Sequence, residues 1–202
     1  MDILRLPSRS RQERFAVRTA LRLIFALAAG VLFFPAAAAP SNQSGRYEAT
    51  AALLFNFAKF VEWPDRSFDD SQAPIVFGII GGDQELAFHL QRLAAGQRLQ
   101  GRNVVIRGER FGDDMRRCHV LFVSTSERQR IRQILASLQA ASVLTVSEID
   151  GFADAGGVVE FEMDQGQAHF VVNLDAAAQN KLRISAKLLA LAHVVNHSQA
   201  AN

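Results

Sequence analysis

The sequence predicts a three-layer α/β domain, Rossmann-like in outline, with a mostly parallel sheet, helices on both faces and a C-terminal hairpin at one edge. Two observations predict it. Buried-type apolar runs alternate with helical segments through residues 75–147, the signature of a parallel sheet covered on both sides. Two alternating segments, 158–163 and 168–173, are then joined by a turn of Asp164, Gln165, Gly166 and Gln167, which signals a hairpin.

The chain has 202 residues. It opens with six arginines and two acids in residues 1–22, then an apolar run from Leu23 to Phe34. Pro35 ends that run and Ala36–Ala39 supply small residues. This order predicts a secretory signal peptide over residues 1–38; the twelve-residue run is short of the ~20 a spanning helix needs. No twin-arginine motif and no lipobox cysteine is present, so general export of a non-lipidated chain is expected. The whole sequence carries 22 basic and 20 acidic side chains. Without the signal these fall to 16 and 18, a net charge of −2 over 164 residues. The apparent basicity belongs to the signal, and the electrostatic footprint of a nucleic-acid binder is missing.

Residues 39–45 are polar and small and predict a flexible leader; 46–197 then predict one domain, and 198–202 a tail. Glu48 to Glu62 predicts a helix with a wide apolar face, stopped by Trp63 and Pro64. Ile75–Ile80 reads as a buried strand, and Asp83 as the cap of a helix running to about Ala95. Strands follow at Val104–Ile106, Cys118–Val123 and Leu144–Val146, with Ser126 capping a helix over 127–140. Beyond the hairpin, Asp175 opens a helical region, and 184–195 reads as a helix.

The chemistry-bearing residues are sparse. Gly81, Gly82 and Asp83 follow a strand and precede a helix, where an anion can be cradled, but neither the three-glycine fingerprint nor the Walker lysine is present, and a tight strand–helix turn is the favoured reading. Ser124, Thr125 and Ser126 sit at a strand's carboxyl end, where α/β ligand sites form, and helix capping is the simpler reading of Ser126. There is no nucleophile elbow. Gly82, Asp83, Ser124, Ser126 and Asn173 are the candidate ligand-binding residues. His193 and His197 have the i, i+4 spacing of a helical metal pair without the zincin glutamate, and no metal or cofactor is expected. Glu160 and Glu162 share a strand face, which surface alternation explains. Cys118 reads as a buried thiol or an intermolecular disulfide partner, with a catalytic role open beside Arg116, Arg117 and His119. Phe55 falls on the polar stripe of its helix; it and Trp63 are the candidate partner-binding residues, with core packing the alternative.

Four stretches, in order, carry a resemblance. They are Ala52–Pro64; Cys118–Ser124; Leu144–Ser147 with Gly151–Ala153 and Gly156–Gly157; and Phe170–Asn173 leading to Leu182–Leu189. Together they resemble the YfiR family across nearly all of residues 46–195. The resemblance implies a small periplasmic α/β protein without catalysis. It implies a regulator that binds the periplasmic domain of an inner-membrane diguanylate cyclase and represses it, lowering cyclic-di-GMP and biofilm formation. Relatives can dimerise, and some use disulfides to set their state. Cys118 matches a family cysteine position but has no partner in this chain, which excludes an intramolecular switch. The rival expectation is a periplasmic small-molecule sensor with its site at the strand ends.

Overall fold

The computed structural model describes residues 42–164 and 167–195. The expected signal segment 1–38, the tail 198–202 and His197 lie outside the described residues.

The chain begins with helix α1, Asn42–Lys59. Residues 42–45, expected as flexible leader, are its first turn. The helix is tied to the body just beyond them, where Arg46 pairs with Glu148 at 2.7 Å; a tertiary contact overrides the weak helix propensity of Ser44 and Gly45. The helix also stops earlier than its apolar pattern predicts. The Gln100 amide donates to Ala58 O at 3.3 Å and Val61 O at 2.7 Å, satisfying carbonyls at its end. Val61–Glu62 (β1) then pairs antiparallel with Arg183–Ile184 (β8).

The main sheet has seven strands. They are β2 (Ile75–Ile80), β3 (Val104–Glu109), β4 (Val120–Val123), β5 (Leu144–Ser147), β6 (Val159–Asp164), β7 (Gln167–Asn173) and β9 (His193–Val195). Their spatial order is β3-β2-β4-β5-β6-β7-β9. Every pairing is parallel except the β6–β7 hairpin. The hairpin is therefore not the edge. Residues 193–195, expected in a closing helix, form β9 alongside β7, and the helical content of that region is α5, only Ala186–Leu189. Valine's strand preference at 194 and 195 fits this outcome. The other helices are α2 (Gln84–Ala94), α3 (Ile131–Ser137) and α4 (Leu174–Gln179).

Alternation along the strands builds two apolar layers. Ile75, Phe77 and Ile79 of β2, with Val120 and Phe122 of β4, face a cluster containing Leu54, Phe57 and Ala58 of α1 and Leu86 and Leu90 of α2. Val76, Ile80, Leu121 and Val123 face the opposite cluster with Ile131 and Ile134 of α3. The result is the expected three-layer, Rossmann-like arrangement with helices on both faces.

Candidate functional site

The strand order reverses direction at β2. The chain goes from β2 through α2 to β3 on one side, then returns to place β4 on the other. A crevice opens at the carboxyl ends of β2 and β4, the place where open α/β sheets bind ligands. Gly81 leaves β2 with φ +108°, and a Cβ there would lie 2.5 Å from Ser126 Oγ and 2.6 Å from Ser124 Cβ. Glycine is thus required for the two strand ends to approach.

Four of the five expected ligand residues meet here, but mostly as each other's partners. Ser124 Oγ donates to Asp83 Oδ2 at 2.5 Å, and Ser124 is 2% exposed. Asp83 therefore does not cap α2 with its side chain. Ser126 Oγ donates to Gly81 O at 3.1 Å instead of capping, and residues Thr125–Arg130 form a 3-10 segment before α3. Gly82 has φ +82° and open space beside it. Asn173 is not part of the group. It ends β7, three strands along the sheet from β4. Its side chain is consumed by Ala153 O at 2.8 Å and by Ala176 N–H at 2.9 Å, the latter capping α4.

The sequence reading missed what α1 contributes. Tyr47 Oη donates to Asp83 Oδ1 at 3.4 Å. Thr50 Oγ1 donates to Glu148 Oε1 at 3.0 Å, while Arg46 holds Glu148 Oε2. Burial, and then the neighbouring Asp83 carboxylate, raise the Tyr47 phenol above its ordinary value. Arg46, Tyr47, Thr50, Asp83, Thr125 and Glu148 line a cleft of about 170 Å³. Glu148 stands about a hundred residues from its α1 partners, so no local motif announces the site. The arrangement is a set of mutually paired polar groups clasping α1 to the strand ends.

Phe55 and Trp63 are not surface residues. Phe55 is 2% exposed and stacks on Phe77 with ring centroids 6.4 Å apart. Its place on the polar stripe is explained by cover on more than one side of α1, with Lys59 Nζ over its outer face at 5.0 Å from the ring centroid. Trp63 is also buried; its Nε1–H donates to His119 O at 3.2 Å, and its ring meets His119 edge-on. Neither side chain offers a surface to a partner.

At the other end of the sheet, His119 joins three segments. Its Nδ1 accepts from Val76 N–H at 3.1 Å, which leaves Nε2–H to donate to Ser67 O at 3.0 Å. Phe68 stacks on the ring at 4.5 Å, with the Arg102 guanidinium 3.7 Å from the Phe68 centroid. Burial lowers the His119 pKa, the Ser67 carbonyl opposes that, and the Arg102 charge adds to the lowering. Beside it, the Cys118 thiol is buried, and burial followed by the Glu109 carboxylate push its pKa up to about 12. A thiol held protonated is a poor nucleophile. His193 lies in β9 and not in a helix, and His197 is outside the described residues. Glu160 accepts from Gly151 N–H and Ala153 N–H at 3.3 and 2.9 Å, which orders the turn before β6.

The sequence model of the YfiR/HmsC-like family matches residues 47–193. The chain belongs to the YfiR/HmsC-like family. All four stretches that carry the resemblance fall inside the match. Among solved structures it is similar to a conserved domain protein from Vibrio cholerae O1 biovar El Tor str. N16961, at 14% identity and a TM-score of 0.49. The alignment covers 73% of this chain, which spans only 59% of that one. No curated protein matches the chain. No helix among the described residues is long and apolar enough to cross a membrane.

Proposed function

We propose that this chain is a periplasmic, non-enzymatic regulator that binds and represses an inner-membrane diguanylate cyclase, lowering cyclic-di-GMP and biofilm formation. The family match over residues 47–193 carries the proposal, because the family is known in general for regulating diguanylate cyclase signalling. The arginine-rich, apolar start of the sequence supports export through a cleaved signal. The crevice also supports the reading. Ser124 is buried against Asp83, and Glu148 is held by Arg46 and Thr50, so these groups serve α1 docking before they serve a substrate. Regulation by contact needs a surface and a partner with two states, not a nucleophile. A homodimer is compatible with the proposal. The test is to tag the mature chain, cross-link it in its own host and identify what co-purifies from the inner membrane. A cyclase-type receptor enriched over a tag-only control is the expected result; a preparation free of membrane signalling proteins would contradict it.

One observation favours a second reading, a small-molecule sensor. The cleft at the strand-order reversal is where ligands bind in such sheets, and Arg46, Tyr47 and Thr50 would add polar contacts to Asp83. A thermal-shift screen of nucleotides, amino acids and anions would show a raised midpoint for a ligand of that cleft. The two readings are compatible, since a ligand that loosens or tightens α1 would gate the regulator.

A further inference from the structure

A second concavity lies away from the strand-order reversal. It has a volume of about 550 Å³ and is formed where residues 66–74, the turn around 116–119 and the turn 140–142 meet β3. That is within the range of small-molecule sites. Its lining is strongly basic. Arg66, Arg107, Arg116 and Arg117 contribute to the wall against one acid, Asp69. This concentration stands out in a chain that carries net negative charge once its first 38 residues are set aside.

The four arginines are not equally occupied. Arg116 is braced by Ser137 O at 3.1 Å and Gln139 O at 3.4 Å through a single nitrogen, leaving the rest of its fork free. Arg117 shares its Nε with Asp114 at 3.3 Å. Arg66 and Arg107 are in no ion pair among the described residues. Four guanidinium forks gathered in one concavity, with Asp114 engaging only Arg117 and Asp69 the one acid of the lining, make a net positive field that attracts oxyanions, and their planar donors suit phosphate and carboxylate groups.

Two independent features mark the same walls. Ser67 Oγ is the buried side-chain oxygen without a hydrogen-bond partner among the described residues, and Ser67 belongs to this lining. Ala140 and Ser142 both have φ of +57°, an uncommon backbone state for residues with a Cβ, and both line the cavity. Strain and unsatisfied donors concentrate at binding sites.

We propose that this cavity binds a soluble small molecule carrying at least two phosphate or carboxylate groups, held by Arg66 and Arg107 as free forks and by Arg116 and Arg117 as braced ones. The site is distinct from the cleft between α1 and the strand ends and requires no partner protein to be read out.

The test is calorimetric titration of the purified chain with inorganic pyrophosphate and with citrate, using acetate at matched ionic strength as the control. Saturable one-to-one binding of pyrophosphate or citrate, absent for acetate and weakened by added salt, is expected. In the R66Q/R107Q double variant the affinity drops about tenfold or more, since charge-assisted hydrogen bonds are lost. Both positions are exposed and unpaired, so the urea midpoint of that variant stays at the wild-type value. An R132Q control, exposed on α3 and outside the cavity, binds as wild type. No saturable binding, or binding unchanged in R66Q/R107Q, overturns the proposal. Binding only to phosphatidylglycerol vesicles, lost in the same double variant, also overturns it by replacing a soluble ligand with a membrane surface.

Discussion

His119 offers the sharpest perturbation, because one ring supports contacts from three segments. His119→Ala removes the acceptor of Val76 N–H, a buried donor, and leaves it unsatisfied at a cost of about 1–3 kcal/mol. It also removes the stack on Phe68 and the edge contact with Trp63, each worth about 0.5–1.5 kcal/mol beyond burial. The expected loss at pH 7.5 is about 2–6 kcal/mol, read from urea unfolding followed by tryptophan fluorescence. The pH dependence has a definite sign. The pKa of His119 is lowered in the folded state, so below the ordinary value of about 6.5 the unfolded chain binds the extra proton more readily. The stabilisation is fully present above that pH and declines as the pH falls below it. The gap between wild type and variant is therefore widest above pH 7 and narrows towards pH 5. Arg102 reinforces this behaviour, and Asp69 opposes it. A loss under 1 kcal/mol at pH 7.5, or a gap that stays constant from pH 7.5 to 5, would refute the account of His119.

Three other perturbations follow from burial and geometry. Phe55→Ala should cost about 3–5 kcal/mol in urea unfolding, since the ring is enclosed against Phe77; a cost near zero would restore it to the surface. Gly81→Ala should cost more than 1 kcal/mol, because it needs a positive φ and meets Ser124 and Ser126; circular dichroism melting at unchanged stability would contradict the close approach. The Cys118 thiol should react with a thiol reagent at pH 8 far more slowly in the native chain than in denaturant, and equal rates would show that it is not shielded.

The sheet was legible because its strands announce themselves. Ile75–Ile80 and Val120–Val123 are short apolar runs buried on both faces, Leu144–Ser147 is a buried β-branched-rich segment, and the hairpin alternates as a half-covered one should. The chain's end was not legible. Residues 184–195 carry apolar side chains at helical spacing, yet pairing of Ile184 with Val61 and of His193–Val195 with β7 breaks them into strands around a one-turn helix. Local pattern cannot report a neighbour far away in sequence. The same limit hid half of the cleft. Gly82, Asp83, Ser124 and Ser126 were visible as strand-end residues, but Arg46, Tyr47 and Thr50 matter only because Asp83 and Glu148 stand opposite them. Phe55 shows the same limit: its place on the polar stripe leaves exposure and core packing both open, and only the cover from a second side of α1 decides for the core.

The regulator proposal is tested most directly by the cyclic-di-GMP content of the host. Deleting the gene for this chain should raise cyclic-di-GMP, and a plasmid copy carrying the export signal should bring it back down. Expression of the same copy without residues 1–38 should leave it high. Unchanged cyclic-di-GMP on deletion, or full complementation by the copy that lacks residues 1–38, would contradict a periplasmic repressor of a cyclase.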